Sequence, residues 1–323
     1  MGKIKYWNRI FKAYLFSNNS QLSFWHGLPE QSLLSNINSP KKYYMKFHYK
    51  ANYNNHLDIN GIPLLNYHGS IGLQYNPIAI AQYGLGNYNL FLDTNDKTRL
   101  DKFIHVSDWL VENLKLNIDG IPVWMHNFDF EYKTTLKDPW YSGLAQGLGI
   151  STLIRAYKET NNQKYLDAYE KAWISMTKNI NEGGVLYVDD KGNYWIEEYI
   201  LESPTHILNG FIWALWGVYD AWKLLENSEA KDLFHKCCKT LETNLKKYDN
   251  KYWSLYELSN TYLPMISSPF YHNLHIVQLK IMWALTSSNC FLEFSTKWEE
   301  YGLNRVNRVK AILNKSLFKI LYY

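Results

Sequence analysis

The segment from His206 to Leu225 restricts the fold more than any other part of this 323-residue sequence, because it is apolar on almost every side of a helix. A helix with this pattern is buried on all its faces. The following segment, Ser228 to Leu245, is amphipathic, which is typical of a helix that buries one face only. The sequence therefore predicts a chain built mainly from helices, with one of them enclosed by other elements.

Helical segments recur along the chain, and short extended pieces separate them. Pro77 suits a first helical residue, and helical spacing follows it and returns in the segments Leu100–Leu114, Ser142–Tyr157, Gln163–Thr177 and Asn273–Leu285. The sequence also predicts a hairpin with strands at Val185–Val188 and Tyr194–Tyr199, and a further short strand at Tyr252–Leu258. The recurring unit is therefore two helices followed by a strand or hairpin.

This recurring unit predicts the fold class. No strict sequence period is visible, so the chain is not a solenoid of identical repeats. Helix pairs around a central cavity, with short β-hairpins at one rim, describe a mainly α fold, the (α/α) toroid or incomplete α/α barrel. A helical bundle without a cavity is the alternative, and it leaves the tyrosine-rich strands unexplained.

The first part of the chain differs from the rest. It is loop-rich and extended, with breakers at Pro29, Pro40 and Pro63. We expect two parts: an N-terminal arm and wrapping segment over residues 1–74, and a toroid domain over residues 75–323. Residues 1–16 of the arm interleave basic and aromatic side chains, so this arm either lies on an anionic membrane surface or packs on its own domain.

Several features bear on where the protein works. Neither a cleavable signal nor an apolar run of transmembrane length is visible. Cys237 and Cys238 are adjacent on a predicted helix and are not expected to pair, which with Cys290 favours a reducing compartment. The sequence thus favours a cytoplasmic protein, with membrane association through the arm left open and a homodimer compatible with the chain.

Composition narrows the class of partner. Aromatic residues make up 17% of the chain, including 13 Trp and 27 Tyr. Flat rings with polar edges suit carbohydrate, although a compositional bias of the genome would have the same effect. The net charge of +4 fits an acidic polysaccharide without demanding one. Nucleic acid is disfavoured, since Lys and Arg form no stripe along a single predicted helix.

The segment Tyr194–Phe211 carries the clearest chemical signal. Glu197, Glu198 and Tyr199 follow one another at the end of a predicted strand, directly before the apolar helix. Strict alternation along a strand would place Glu197 and Tyr199 on one face and Glu198 on the other. A carboxylate beside a phenol in a cleft can move protons on and off a substrate. A solvated strand end is the alternative interpretation.

Five blocks of sequence, in the same order, resemble the catalytic C-terminal region of the D-glucuronyl C5-epimerases, which convert glucuronate to iduronate in heparan-type chains. The blocks are Tyr75–Leu85, Asp138–Tyr157, Tyr194–Phe211, Tyr256–Leu258 and Tyr271–Leu279. From this resemblance we expect the large N-terminal β-domain of the animal enzymes to be absent. The resemblance therefore indicates a compact, bacterial-type version centred on the helical toroid.

The resemblance implies roles for four residues. It places the family's acidic residue at Glu198 and a neighbouring tyrosine at Tyr199, and two further tyrosines at Tyr256 and Tyr271. Because strand alternation would separate Glu198 from Tyr199, we expect the backbone to leave regular strand geometry there. Glu198 and Tyr271 would carry protons on opposite sides of the sugar ring, with Tyr199 and Tyr256 as hydrogen-bond donors or relays.

One position departs from the family pattern. The family has an arginine three residues beyond the Tyr256 position, and this chain has Ser259 there. Arginine suits two-point recognition of a carboxylate, so the way this chain holds the substrate carboxylate needs another explanation. Removal of the C5 proton places negative charge on that carboxylate, which the site must neutralise.

Further residues are candidates for substrate contacts. Trp140 would stack on a sugar ring or plug the toroid, and cationic help for a tyrosine base would come from Arg155, His272 or His275. The remaining candidates are Gln82, Tyr83 and Gln146, although amides bonded to the backbone would look the same. His272 and His275 share a helix face, but no third ligand stands at metal-binding spacing. We therefore expect neither a metal nor another cofactor.

The sequence alone leaves three other functions open. A polysaccharide lyase would start from the same C5 carbanion and then expel the group at C4. A glycoside hydrolase would need two carboxylates, for which Glu198 and Glu257 are available. A non-catalytic glycan-binding module is the third, and the serine at position 259 keeps it open.

Overall fold

The structure is a computed structural model that describes residues 21–32, 40–259 and 261–322. The basic and aromatic arm over residues 1–16 lies outside the described residues. Within them, two short helices, Gln21–Trp25 and His48–Ala51, precede the long helices. The long helices are α1 Pro77–Thr94, α2 Lys97–Glu112, α3 Gly143–Thr160, α4 Gln163–Thr177, α5 Leu208–Leu225, α6 Ser228–Asn244, α7 Pro269–Thr286, α8 Asn289–Leu303 and α9 Arg305–Tyr322.

Helices α1 to α8 form four hairpins. Each odd-numbered helix packs against the even-numbered helix that follows it, and the odd-numbered helices also contact one another in the order α1, α3, α5, α7. The odd-numbered helices form an inner layer and the even-numbered helices an outer layer. The protein is therefore the predicted (α/α) toroid in an incomplete form, and α9 packs against α7 and α8 beside it.

Helix α5 lies deepest, as its sequence predicts. Every residue from Leu208 to Ala221 is buried, because α3, α6 and α7 surround the helix. Its approach to α3 is close enough to require glycine: a Cβ on Gly147 would lie 2.8 Å from the Ala214 carbonyl oxygen. Gly217 likewise faces the backbone of Gly147, where a Cβ would overlap. The small residues of α3 thus serve helix packing.

Short antiparallel strands occupy the connections into the inner helices. They are β1 Leu64–Asn66, β2 Leu73–Tyr75, β3 Leu114–Leu116, β4 Pro122–His126, β5 Phe130–Glu131, β6 Thr135–Leu136, β7 Trp140–Tyr141, β8 Leu186–Val188 and β9 Tyr194–Ile196. β1 pairs with β2, β5 with β6 and β8 with β9, while β4 lies between β3 and β7. Since each helix pair is a hairpin, these strands share one rim with the N-termini of the inner helices.

Two sequence predictions need correction. The segment Tyr252–Leu258 is not a strand, because Ser254 and Leu255 form only isolated bridges, with Asp249 and Ile266. The last inner helix begins at Pro269, four residues before the predicted Asn273, since Ser268 caps it by accepting the backbone N–H of Tyr271. The predicted hairpin is confirmed, with Val188 opposite Tyr194.

Residues 40–51 pack against the inner helices. Tyr43 and Tyr44 are buried against Trp216 of α5, with ring centroids 6.0 and 5.3 Å away. The Tyr44 hydroxyl donates a hydrogen bond of 2.6 Å to Asp220. None of the helices in the described ranges is long and apolar enough to span a bilayer.

Candidate active site

A cavity of about 630 Å³ opens at the strand-bearing rim. All four inner helices reach it through their first turns, which contribute Ile78 of α1, Leu144 of α3, Asn209 of α5 and Tyr271 of α7. A helix N-terminus carries a partial positive charge and unpaired N–H groups. The fold therefore points four such ends at one cavity, which suits a negatively charged ligand.

Glu198 and Tyr199 reach this cavity because the backbone leaves strand geometry after β9. The strand ends at Ile196, and both side chains then line the cavity, although alternation would have separated them. This departure from strand geometry was expected and is confirmed. Glu197 is buried elsewhere: its carboxylate accepts the backbone N–H of His206 at 3.1 Å and contacts His206 Nδ1.

The Glu198 carboxylate lies over the first turn of α5. Asn209 Nδ2 is 3.5 Å from Glu198 Oε2. A Cβ on Gly210 would lie 2.7 Å from the Glu198 Cβ and would overlap its Oε2. Glycine at position 210 is therefore required to seat the carboxylate.

Burial changes the acidity of Glu198. The side chain is 4% exposed, and desolvation is the main cause that raises its pKa to about 8. A hydrogen bond with Tyr199 opposes that rise, while the charge of Glu197 adds to it. A carboxyl group with this pKa exchanges protons readily near neutral pH, which is the property that acid–base catalysis requires.

Tyr256 and Tyr271 form the facing pair of phenols. Their ring centroids are 5.0 Å apart at 67°, and both line the cavity. Burial, followed by the charge of Glu198, raises the pKa of Tyr271, and a hydrogen bond with Tyr256 opposes the rise. Tyr271 thus holds its proton and lies within electrostatic reach of Glu198. The structure brings together the four residues that the resemblance singled out.

Trp140 lines the same cavity. Its ring stacks on His126, with centroids 3.8 Å apart, and its Nε1 donates to the Phe128 carbonyl oxygen at 2.8 Å. The ring also meets Tyr199 edge-on, at 5.7 Å between centroids. Trp140 is therefore a rigid aromatic surface beside the carboxyl–phenol group, as a sugar-stacking residue would be.

Three predicted contacts are corrected because their side chains do not line the cavity. Gln82 and Tyr83 are buried within α1. The Gln146 side chain accepts the backbone N–H of Trp124 at 3.1 Å and donates to the Trp124 carbonyl oxygen. The structure thus shows Gln146 as an amide bonded to the backbone, which is the alternative that the sequence left open.

Arg155 is corrected as well, because it belongs to the core. Its guanidinium forms a two-point ion pair with Asp220, at 2.5 and 3.0 Å, and it also donates to the carbonyl oxygens of Lys41 and Ser151. These groups occupy the donors that would otherwise bind a substrate. Arg155 fastens the 40–42 segment to α3 and α5.

His272 and His275 do not supply positive charge to Tyr271. Their Nδ1 atoms lie 2.8 and 3.1 Å from the Ser254 hydroxyl, and His272 Nε2 is 2.8 Å from the Trp298 carbonyl oxygen. Burial lowers the pKa of His272 to about 4 and lowers that of His275 well below its usual value. Both rings are neutral, and they hold in place the loop that leads to Tyr256.

The residue in the family arginine's position also turns away from the cavity. Ser259 donates a hydrogen bond to the Glu257 carboxylate, which also pairs with Lys133. The cavity instead receives Lys50, Lys315 and Lys319, which sequence reasoning missed. No local pattern marks them, since Lys50 is in the wrapping segment and the other two are on α9, outside the five blocks.

The fold and the cavity define the class: an (α/α) toroid that gathers a carboxyl group and phenols at the rim carrying its inner-helix N-termini. The model of the D-glucuronyl C5-epimerase C-terminus matches residues 119–300, which is more than half of the chain. The chain therefore belongs to this family.

Individual relatives give the extent of the similarity. The chain is 31% identical over 218 residues to the D-glucuronyl C5-epimerase of Caenorhabditis elegans, an alignment that covers 63% of this chain and 35% of that protein. It is 30% identical over 181 residues to an uncharacterized protein of Methanocaldococcus jannaschii, covering 55% and 57% of the two chains. The alignments thus span about a third and just over half the length of these relatives.

Solved structures also show similarity at low identity. An unsaturated glucuronyl hydrolase from Bacillus sp. GL1 gives a TM-score of 0.48 at 11% identity, covering 69% of this chain and 61% of that one. A family 76 mannosidase from Bacteroides thetaiotaomicron gives 0.45 at 13% identity, covering 71% and 59%.

Proposed function

We propose that this chain is an isomerase that converts D-glucuronate to L-iduronate by inverting C5 within a heparosan-like polysaccharide. The observation that carries the proposal is that Glu198 and Tyr271 line one cavity and interact electrostatically. Inversion at C5 requires one group to remove a proton and another to return one from the opposite side. Membership of the epimerase family supports this reaction class.

The two side chains suit different halves of the reaction. The ionised form of Glu198 takes the C5 proton as the C5–H bond breaks, and the electron pair moves onto the substrate carboxylate. Tyr271 then donates its hydroxyl proton to the other side of C5. A carboxylate whose pKa is about 8 is a stronger base than an ordinary one, which suits a weakly acidic C–H bond.

The surroundings favour the charge that develops. After donation Tyr271 is a phenolate, and its hydrogen bond with Tyr256 favours that form. The intermediate carries extra negative charge on its carboxylate oxygens, and the N-termini of α1, α3, α5 and α7 face the cavity that holds it. These fixed dipoles stabilise the intermediate.

The lining suits an acidic sugar. Rings of Phe130, Tyr132, Trp140 and Trp213 line the cavity, and such rings stack on the C–H faces of a pyranose. The cavity volume of about 630 Å³ falls within the usual range of small-ligand sites, roughly 300–1,000 Å³. The positive net charge of the chain also favours a polyanionic substrate.

Isotope exchange tests the proposal directly. Purified protein is incubated with heparosan in heavy water, and deuterium at C5 and the ratio of the two uronates are followed by NMR. We expect label at C5, iduronate in the product and no shortening of the chain. A lyase would instead release an unsaturated uronate that absorbs ultraviolet light.

Two variants test whether deuterium exchange at C5 depends on the residues of this cavity. Glu198→Gln and Tyr271→Phe should each abolish net inversion. The matched controls are Glu229→Gln and Tyr165→Phe, whose side chains bond to Trp173 and Asp108 outside the cavity. Absence of label with the unmutated protein, or full activity of either cavity variant, would contradict the proposal.

A further inference from the structure

One side of the cavity concentrates basic groups. Lys315 and Lys319 come from α9, and His26 and Lys50 come from the wrapping segment. Helix α9 lies beyond residue 300, where the match to the family model ends. The basic wall is therefore built by parts of the chain that the family match does not cover.

Lys315 stands next to the facing phenols. Its Nζ is 5.5 Å from the centroid of the Tyr256 ring, and Tyr256 is hydrogen-bonded to Tyr271. Lys315 Nζ donates to the Ile266 carbonyl oxygen at 2.8 Å. An ammonium group has three donors, and this is its one acceptor within the described ranges, so two donors stay available to a ligand.

The other basic groups lie close to one another. Burial lowers the pKa of Lys315 to about 7, the charge of Lys319 contributes to that decrease, and the charge of Glu257 opposes it. Burial also lowers the pKa of His26, with Lys50 and Lys319 as further causes. Lys50 is 7% exposed and donates to the Phe24 carbonyl oxygen at 2.8 Å. Mutual repulsion among buried cations is unfavourable unless an anion joins them.

The carboxylates in this region form no ion pair with these basic groups, although the charge of Glu257 acts on Lys315 from a greater distance. Glu30 pairs with Lys46, and Glu257 is held by Lys133 and Ser259. Glu131 accepts the Thr135 hydroxyl at 3.2 Å, and burial raises the pKa of Glu198 to about 8, which favours its neutral form at neutral pH. Across residues 21–32, 40–259 and 261–322, no carboxylate forms an ion pair with Lys50, Lys315 or Lys319. The wall is thus complementary to an anion from outside the protein.

We propose that Lys315, assisted by Lys319, binds the carboxylate of the reacting hexuronate and so replaces the arginine that this chain lacks at Ser259. This inference rests on the proposed function for the identity of the sugar. The position also suits the reaction, because the carboxylate carbon is bonded directly to C5. If Lys315 holds the substrate carboxylate beside Tyr256, C5 is one bond from the carboxylate carbon and therefore lies near Tyr271.

Binding to two matched ligands tests the assignment. One is a heparosan oligosaccharide, and the other is the same oligosaccharide with its glucuronates reduced to glucose. We expect Lys315→Met to weaken binding of the first ligand by about 10- to 100-fold, the usual range for a lost hydrogen bond to a charged group. Binding of the reduced ligand should not change, and Lys315→Arg should restore most of the affinity.

The controls separate this inference from the reaction itself. Lys310→Met removes an exposed cation from the same helix and should leave both affinities unchanged. Lys319→Met should give a smaller loss in the same direction, which keeps the test usable if Lys315→Met does not fold. Equal binding of both ligands by the unmutated protein, or normal heparosan binding by both folded lysine variants, would overturn the inference. Carboxylate-dependent binding through Lys315 without C5 labelling would support it while contradicting the proposed reaction.

Discussion

Two buried charged regions of this molecule are built on opposite principles. In the core, Arg155 and Asp220 satisfy each other at two points, and neighbouring carbonyl oxygens and Tyr44 take the remaining bonds. At the rim, Lys315 and Lys319 form no ion pair with a carboxylate among the described residues, and the pKa of Glu198 is raised because burial disfavours its charge. A buried, fully bonded ion pair is costly to break, whereas buried ionisable groups without such partners are typical of sites that bind a charged reactant.

The largest expected effect is the loss of C5 exchange when a residue at the rim is changed, which a change in the core pair should not cause. Glu198→Gln keeps the size of the side chain but removes its ability to accept the C5 proton. We expect C5 exchange to fall by about 10²- to 10⁴-fold, the range typical of a lost general base. The measurement is the rate of deuterium incorporation per folded molecule, with Glu229→Gln as the control. Exchange within threefold of the unmutated rate would show that Glu198 is not the base.

The second prediction applies to the core pair. Asp220→Asn leaves the Arg155 guanidinium buried without a counter-charge, and breaking such a pair costs about 3–5 kcal/mol in the free energy of unfolding. The exchange rate per folded molecule should stay near the unmutated value, because neither residue lines the cavity. Denaturant unfolding measures the first quantity. A large loss of exchange at unchanged stability would place Arg155 in the catalytic machinery after all.

The contrast between these regions also shows what the sequence could and could not reveal. The all-round apolar pattern of α5 predicted its burial, because periodicity depends on residues near one another in the chain. Arg155 was taken for a site residue because its partner Asp220 is 65 residues away, beyond any local pattern. Lys315 was missed for the same reason: its role depends on α9 packing beside α7 and α8.

In the candidate site, too, the sequence identified some features and missed others. Glu198, Tyr199, Tyr256 and Tyr271 could be chosen through short blocks that resemble a family, and the structure brings them to one cavity. The segment Tyr252–Leu258 has strand-forming residues, yet tertiary contacts such as the Ser254 bonds to His272 and His275 hold it as a loop. Propensity for strands is easily overridden by such contacts.

The third prediction tests whether activity depends on the position of the Glu198 carboxylate over the first turn of α5. Gly210→Ala would push its new Cβ into the Glu198 carboxylate, so the free energy of unfolding should fall by about 1–3 kcal/mol, as overpacking usually costs. Exchange per folded molecule should fall with it, because the base is displaced. Gly217→Ala on the same helix as Gly210 is the control, since its new Cβ would crowd Gly147 of α3 and should reduce stability alone. Equal exchange rates for the two variants would mean that Glu198 tolerates displacement.

The smallest expected effect is on the pH dependence of the free energy of unfolding. It directly tests whether Glu198 is buried without a partner that stabilises its charge. The folded-state pKa of Glu198 is raised from 4.5 to about 8, so the folded protein retains a proton that the unfolded chain has lost across that interval. The stabilising contribution of this proton is therefore complete below pH 4.5 and is lost as the pH rises through 8. Glu197, Tyr199 and Tyr271 are the titratable groups facing it. Glu198→Gln is neutral in both states and escapes this loss.

The stability gained by Glu198→Gln over the unmutated protein should therefore increase with pH, by about 1.4 kcal/mol between pH 6 and pH 7. Urea unfolding of both proteins at each pH gives the difference directly. Ile212→Val, a core change in α5 without a titratable group, should show a difference that is the same at both pH values. If the Glu198→Gln difference were equally constant, the carboxylate would be ionised in the folded protein and stabilised by its surroundings. The rim would then follow the same pairing principle as the Arg155–Asp220 core, and its excess of positive charge would already be neutralised from within.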